Sequence, residues 1–255
     1  MAGRVFAVAA HPDDIEFQMA GTLILLGEAG YEIHYMNIAN GCCGSATLGA
    51  EEIAQIRCEE AQSAAELIGA VYHPSLTDDL NIFYEPGLLA RMSSIMRDVA
   101  PDIVLTHSPQ DYMEDHQNAA RLAAGAAFTR GIPNYRTNPH MDAVDHPVTV
   151  YHAQPHGNRD PLGERVVPDI YVDITEVIEK KTQMLACHTS QKSWLDHSQG
   201  LGAYLEAMRA MSSEVGEMSG RFSIAEGWRR RLHLGFCGEK DNPLVTALEG
   251  TIHRR

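Results

Sequence analysis

The feature that most constrains the fold is the alternation of short apolar runs with helical patterns in the first half of the chain. Residues 5–10 and 31–38 are rich in apolar and β-forming side chains and predict strands. Residues 21–29 and 51–68 repeat apolar side chains at helical spacing. Strands that alternate with helices are typical of βαβ units. We therefore predict an α/β fold, a Rossmann-like three-layer α/β/α sandwich with a mostly parallel sheet.

The pattern fits a single domain over residues 1–255, because a chain of this length can bury one full core. Gly69 is expected to end the helix over residues 51–68. Further helices are predicted at residues 88–99, 117–128, 176–187 (with Thr175 as its N-cap) and 196–211, and further strands at residues 103–106, 148–151 and 170–174.

A long segment at residues 129–168 breaks this pattern, with six prolines, four histidines and little periodicity. Segments of this length inside a compact domain are often functional. We expect it to lie over the functional site and to select the substrate. We expect most of its histidines at the surface and one or two in the substrate pocket, the four being His140, His146, His152 and His156.

Charge and composition limit the possible partners. The formal net charge of −14 argues against a nucleic-acid partner, because phosphate binding requires a basic face. The basic clusters at residues 229–231 and 254–255 are interpreted as a charged helix face or a solvated tail. No apolar run approaches a membrane span, and residues 5–10 lack the flanks of a secretory signal. The five cysteines show no CxxC spacing, so we expect reduced thiols in a cytoplasmic protein.

The sharpest chemical signal is the run His11-Pro12-Asp13-Asp14, directly after the first predicted strand. Ligands of open α/β sheets bind at the carboxyl ends of the strands. An imidazole and two carboxylates at this edge suit a metal ion. The alternative is a helix N-cap, in which Asp13 or Asp14 accepts from free backbone N–H groups. That alternative explains one carboxylate but neither the histidine nor the second acid.

A second polar segment, residues 107–116, follows the strand predicted at residues 103–106. Neighbouring parallel strands would bring His11, Asp14 and His116 together. Three protein ligands with a fourth position for water form the pattern of catalytic zinc, although the same ligands also suit other divalent metals. Taken alone, His116 is better explained as a helix cap or a solvated imidazole, and both readings stay open for His107.

The order and spacing of these motifs resemble the LmbE-like (PIG-L) de-N-acetylase family over most of the chain. The matching runs are His11-Pro12-Asp13-Asp14, Ala20-Gly21-Thr22, residues 41–44, residues 57–69, Pro101-Asp102, residues 111–116, Val172-Asp173 and His188-Thr189-Ser190-Gln191. The resemblance implies zinc ligation by His11, Asp14 and His116. It also implies a homo-oligomer that removes an N-acetyl group from an amino sugar or glycoconjugate.

The resemblance also assigns roles to residues around the metal. It makes Asp13 the general base, and a carboxylate beside a metal-activated water can take its proton and pass it to the leaving amine. Asp115 is expected to orient a ligand imidazole. His188 is expected to be catalytic, although a positive charge is also favourable at a helix end. Arg57 is expected to contact sugar hydroxyls or to pair with Glu60. The other substrate candidates are Asp78 with its neighbour Asp79, His107 and Tyr112.

One departure from the family pattern concerns the reaction. Met113 stands where the family usually has the first histidine of His-Pro-Asp-His, which is thought to stabilise the oxyanion. A thioether cannot donate a hydrogen bond, and losing an oxyanion donor typically costs about 100- to 1000-fold in turnover. Either His188, His107 or Tyr112 supplies the donor, or the reaction differs. The alternatives are a metal-dependent hydratase on the same fold and a non-catalytic sugar-binding protein.

Overall fold

One eight-stranded sheet runs through the part of the chain that the computed structural model describes, residues 3–191 and 203–255. Its strands are β1 (Arg4–Ala9), β2 (Glu32–Asn37), β3 (Val71–His73), β4 (Ile103–Thr106), β5 (Thr149–Ala153), β6 (Ile170–Asp173), β7 (Ala225–Arg230) and β8 (Ile252–Arg254). Their order across the sheet is β3-β2-β1-β4-β5-β7-β6-β8. The pairings from β3 to β5 are parallel, whereas the three pairings from β5 to β8 are antiparallel. The predicted mostly parallel sheet is confirmed.

Helices cover both faces of this sheet. They are α1 (Asp14–Gln18), α2 (Ala20–Glu28), α3 (Ala50–Glu66), α4 (Pro86–Val99), α5 (Glu114–Thr129), α6 (Ile178–Ala186), α7 (Ala203–Ser219) and α8 (Pro243–Ala247). Alternate side chains of β1 pack into two apolar clusters, with Val5 and Ala7 in one and Phe6 and Val8 in the other. Strands buried on both faces are typical of helix-covered parallel sheets, and the three-layer sandwich is confirmed. No helix in the described ranges is long and apolar enough to span a membrane.

The clearest error of the sequence analysis concerns the arginine cluster at residues 229–231. Arg229 and Arg230 lie on β7, which pairs with both β5 and β6, so the interpretation as a helix face or solvated tail is wrong. The sequence shows no apolar alternation there that would predict a strand. In the structure, the Arg229 guanidinium donates to Ser108 Oγ at 2.7 Å.

One helix start also differs from its prediction. Thr175 begins a short 3₁₀ turn, Thr175–Val177, and its N–H donates to Asp173 Oδ1 at 3.0 Å. The turn delays α6 to Ile178, so the predicted N-cap at Thr175 is wrong. Residues 196–202 of the last predicted helix region lie outside the described residues, and α7 continues to Ser219.

Candidate active site

The two polar segments singled out in the sequence meet at one edge of the sheet. Strands β1 and β4 are neighbours in register, with Val8 opposite Thr106. The chain that leaves β1 therefore runs beside the chain that leaves β4, at the carboxyl ends of both strands. Asp14 opens α1, and His116 lies in the first turn of α5.

His11, Asp14 and His116 form a compact cluster whose ligand atoms all lie within 4.8 Å of one another. Nδ1 of His11 is 3.4 Å from Asp14 Oδ2, and Nε2 of His116 is 3.3 Å from Asp14 Oδ1. Two imidazoles and one carboxylate are a common ligand set for catalytic zinc. The three residues could therefore hold a metal ion.

Two further carboxylates fix the orientation of these histidines. Asp115 Oδ2 lies 3.0 Å from His11 Nε2, and Asp111 Oδ1 lies 3.0 Å from His116 Nδ1. Each imidazole thus uses one ring nitrogen for a carboxylate and turns the other towards Asp14. Metal-binding histidines commonly have such a partner. Asp115 was expected in this position, whereas no role had been predicted for Asp111.

The electrostatics of the cluster favour a bound cation. Burial lowers the pKa of both histidines, but the neighbouring carboxylates outweigh it and raise the pKa of His11 to about 9 and that of His116 to about 10. Burial raises the pKa of Asp14, but His116 and His107 beside it hold that pKa well below its usual range. A divalent ion supplies positive charge at the same point, so the residues fit such an ion.

Asp13 has an unusual backbone conformation beside the cluster. Its φ of 113° lies in the left-handed region, which residues other than glycine rarely adopt. Its side chain makes no capping hydrogen bond to α1, so the N-cap interpretation is wrong for this residue. Instead, Asp13 Oδ2 accepts from the hydroxyl of Tyr204 at 2.8 Å and lies 3.5 Å from Arg57 Nη2. Backbone strain of this kind is concentrated at functional sites.

A cavity of about 420 Å³ opens onto the cluster. Its lining includes residues named from the sequence, which are His11, Asp13, Asp14, Arg57, Tyr112, Met113, His116 and His156. It also includes Phe17 and Tyr204, which were not named. The position of Tyr204 could not be read from a motif, because α7 brings it to Asp13 across 191 residues of sequence.

Tyr112 and His156 form one wall of the cavity, with ring centroids 5.7 Å apart. Burial lowers the pKa of His156. Burial also raises the pKa of Tyr112, with help from the Asp14 carboxylate, to about 12. At neutral pH both side chains are therefore uncharged hydrogen-bond donors.

Arg57 is buried beneath the turn that follows β2. Its guanidinium donates to the carbonyl oxygens of Pro12 and Gly41. Glu60 instead accepts hydrogen bonds from residues 189–190. The alternative prediction of an Arg57–Glu60 ion pair is therefore wrong. Arg57 instead lines the cavity.

The two acids after β3 have different positions. Asp78 accepts from the side-chain amide of Asn40 at 2.7 Å and does not line the cavity. Asp79 is buried, lines the cavity and accepts from the backbone N–H groups of Gly41 and Cys43 at 2.7 and 2.9 Å. Of the two candidates, Asp79 rather than Asp78 faces the site.

His107 and His188 are fully buried behind the cavity wall. His107 stacks on His116 with ring centroids 4.1 Å apart, and its Nε2 accepts from the N–H of Ala10 at 2.9 Å. Nε2 of His188 lies 3.2 Å from Glu16 Oε2. Neither imidazole is placed to touch a molecule in the cavity directly.

Only part of the segment at residues 129–168 lies at the site. His156 lines the cavity, and its N–H donates to Asp111 Oδ2 at 3.0 Å. His146, in contrast, contacts Asp102 at 3.1 Å, next to the amino end of β4 and at the opposite edge of the sheet. His140 is exposed, and His152 is buried within β5. The expected cover over the site is therefore limited to the stretch around His156.

The fold and the site together define a class of protein: an α/β/α sandwich with a candidate His–Asp–His metal centre at the carboxyl ends of its strands. The family model described as PIG-L, GlcNAc-PI de-N-acetylase, matches residues 6–127. A 4-oxalmesaconate hydratase from Pseudomonas putida is 30% identical over 193 residues, which cover 72% of each protein. The chain belongs to the PIG-L (LmbE-like) family.

Two deacetylases extend this comparison. A diacetylchitobiose deacetylase from Thermococcus kodakarensis is 26% identical over 198 residues, covering 74% of this chain and 70% of that protein. The structure of an N,N'-diacetylchitobiose deacetylase from Pyrococcus horikoshii has a TM-score of 0.75 at 24% identity, covering 91% of this chain and 85% of that one. The structural likeness confirms the fold, and the relatives include both deacetylases and a hydratase.

Proposed function

We propose that this protein is a metal-dependent hydrolase that removes the N-acetyl group from an amino sugar or glycoconjugate. The observation that supports this most is the position of Asp13, whose carboxylate faces the same cavity as His11, Asp14 and His116. A site that only bound a metal would have no need of a second, strained acid beside the ligand set.

In the proposed enzyme, His11, Asp14 and His116 hold the metal. Zinc is the proposed ion, and iron, manganese or cobalt are compatible with the same ligands. When bound, the ion polarises the amide carbonyl and lowers the pKa of water at the site. Asp111 and Asp115 keep the two imidazoles oriented with their other ring nitrogens towards Asp14, where they would hold the ion.

Asp13 is the proposed general base and acid. Its carboxylate takes a proton from the attacking water while the water oxygen bonds to the carbonyl carbon. It then delivers that proton to the amine as the C–N bond breaks, which releases acetate. Tyr204 and Arg57 hold the carboxylate in place from two sides. His188 lies behind them, and we assign it a positioning role through Glu16 rather than direct contact with substrate.

The negative charge that develops on the carbonyl oxygen requires a hydrogen-bond donor. Met113, the N-cap of α5, lines the cavity but cannot donate, so another residue must supply the donor. We assign this role to His156, which lines the same cavity and is uncharged at neutral pH. His156→Ala should lower turnover by about 100- to 1000-fold. Met113→Leu is the matched control and should change turnover by less than about tenfold, and equal losses in both variants would contradict the assignment.

The cavity lining suits an uncharged, partly apolar ligand. Phe17, Tyr112 and Tyr204 offer aromatic faces, and small-molecule sites are typically built from such surfaces with a few polar groups. Arg57 is the one arginine or lysine among the described lining residues, and it is already engaged with Asp13 and backbone carbonyls. We retain Arg57 and Tyr112 as the proposed substrate contacts. The resemblance to the family further supports a homo-oligomer, and the free thiols favour a cytoplasmic location.

A hydratase is the second candidate, and Met113 is the observation that favours it. A reaction that adds water across an activated double bond needs no amide oxyanion donor at that position. The 30% identity to a hydratase points the same way. Against it, an anionic substrate would require free cationic groups that the described lining does not offer.

The decisive experiment measures acetate release from a panel of N-acetylated sugars, with metal content determined on the same preparation. The proposal predicts chelator-sensitive acetate release with about one metal per chain, as a single catalytic centre requires. Bound metal with no acetate from any sugar, together with hydration of an unsaturated acid, would establish the hydratase instead. A protein that binds no metal after reloading would refute both.

A further inference from the structure

The turn that follows β2 carries two adjacent thiols that the proposed reaction does not use. Cys42 is half-buried, Cys43 is exposed and lines the cavity, and both are free. Their Sγ atoms are 4.0 Å apart. The Asp79 carboxylate completes a group of three ligand atoms within 4.8 Å of one another. We propose that Cys42, Cys43 and Asp79 form a second metal site, which binds thiophilic divalent ions such as Zn²⁺ and Cd²⁺.

The separation of the two sulfurs suits chelation of one ion. A zinc–sulfur bond is about 2.3 Å long, so two thiolates at a tetrahedral angle lie about 3.8 Å apart. The observed separation of 4.0 Å is close to that value. A disulfide, in contrast, would require the sulfurs to approach to about 2.0 Å. The turn thus presents the thiols at a metal-binding distance.

The turn is held rigidly from both sides. The two oxygens of Asp79 accept from Gly41 N–H and Cys43 N–H, and Gly44 N–H donates to Gly41 O at 3.0 Å. Arg57 packs beneath the turn so closely that a Cβ on Gly41 would lie 2.6 Å from its Cδ. A site that is already ordered loses little conformational entropy on binding. Each Asp79 oxygen also keeps a second lone pair for a metal.

Binding at this site exchanges protons for metal without electron transfer. As the two metal–sulfur bonds form, each thiol loses its S–H proton to solvent, so two protons are released per ion. Burial raises the pKa of Cys42, although a hydrogen bond from the Asp79 backbone partly opposes this, so affinity should increase with pH. Soft thiolates also distinguish this site from the His–Asp–His cluster.

An ion at this second site would lie in the cavity itself, because Cys43 and Asp79 share its lining with Asp13. It would occupy space that the substrate needs. Excess zinc should therefore inhibit the enzyme, whereas the first equivalent supports activity. This consequence rests on the proposed function, but the metal site does not.

The test is a Cd²⁺ titration of the full, reduced, metal-free protein. The titration is monitored through the ultraviolet absorption band of the thiolate-to-cadmium charge transfer. We expect the band in the wild type and its loss in Cys42→Ser/Cys43→Ser. Cys58→Ser/Cys237→Ser also removes two free thiols, both of them half-buried and away from the turn, and should keep the band. Proton release, measured in weak buffer, should fall by two per chain in the first double variant alone.

A third variant separates the two metal sites. Asp14→Asn should lose the His–Asp–His metal and keep the thiolate band. Three outcomes would overturn the proposal. The band survives in Cys42→Ser/Cys43→Ser, it disappears in Asp14→Asn, or it is absent from the wild type. Failure of the deacetylase assay leaves this optical result intact. With an active enzyme, the inhibitory zinc concentration should rise at least about tenfold in Cys42→Ser/Cys43→Ser, and an unchanged value would refute the inhibitory consequence.

Discussion

Replacement of Asp13 by asparagine tests the proposed mechanism with the least disturbance of the fold. Asparagine has nearly the same shape as aspartate and tolerates the left-handed backbone conformation that Asp13 adopts at φ 113°. Its side-chain oxygen can still accept from Tyr204. Arg57 loses one charge partner at 3.5 Å but keeps its hydrogen bonds to Pro12 and Gly41. We expect a stability change of about 1 kcal/mol, which shifts the Tm by about 2–4 °C in a chain of this size.

The catalytic effect should be far larger than the structural one. A neutral amide cannot take the proton of the attacking water, and a positioned base contributes about 100- to 10,000-fold to turnover. That loss corresponds to about 3–5 kcal/mol of activation free energy. Metal binding should be unchanged, because His11, Asp14 and His116 keep their geometry.

The assay compares kcat for acetate release and metal content in Asp13→Asn, Asp14→Asn and Asp78→Asn. Asp14→Asn should lose both activity and metal. Asp78→Asn makes the same chemical change at an acid outside the cavity lining and should keep both. Turnover of Asp13→Asn within about tenfold of the wild type, with metal bound, would refute the general-base assignment.

Three further predictions concern the framework of the site. Lys181→Met should lower the free energy of unfolding in urea by about 3–5 kcal/mol, because it leaves the buried Glu226 without the ammonium 2.7 Å away. Adding Glu226→Gln should recover part of that loss. A decrease below about 1 kcal/mol in Lys181→Met would contradict the prediction. Gly41→Ala should lower both stability and kcat/KM, because a Cβ there meets an arginine side chain at 2.6 Å. Gly69 also has a positive φ but has open space around it, so Gly69→Ala should cost only about 1 kcal/mol and leave kcat/KM unchanged; equal effects of the two variants would refute the argument. Burial lowers the pKa of His152 to about 4, against about 6.5 in the unfolded chain, so the free energy of unfolding should fall as the pH drops from about 6.5 to 4. His152→Asn should flatten this dependence in urea titrations at a series of pH values. An unchanged slope in the variant would count against the prediction.

Much of the candidate site could be predicted because its ligands sit in short, contiguous runs. His11 and Asp14 leave one strand, and His116 follows the next strand in space. Parallel strands place their carboxyl ends at one edge, so the sequence was enough to bring these residues together. Asp13 could be recognised for the same reason, since it lies between two predicted ligands.

The residues that were missed or misplaced depend on contacts between distant parts of the chain. Tyr204 reaches Asp13 from α7, and no local pattern marks a tyrosine as the partner of an acid 191 residues away. His188 falls in a family motif, yet packing places it against Glu16 behind the cavity. The choice between Asp78 and Asp79 depends on which of two adjacent carboxylates turns towards the backbone of Gly41.

The sequence by itself determined the fold class and brought His11, Asp14 and His116 together as a candidate metal cluster, because apolar periodicity and motif position are local properties of the chain. Only the tertiary structure decided the place of β7, whose arginines read as a surface cluster but are paired between β5 and β6. It alone showed that His156 rather than His107 or His188 faces the cavity. The physical reason is that burial and hydrogen-bond partners arise from packing between elements far apart in sequence, which no local pattern encodes.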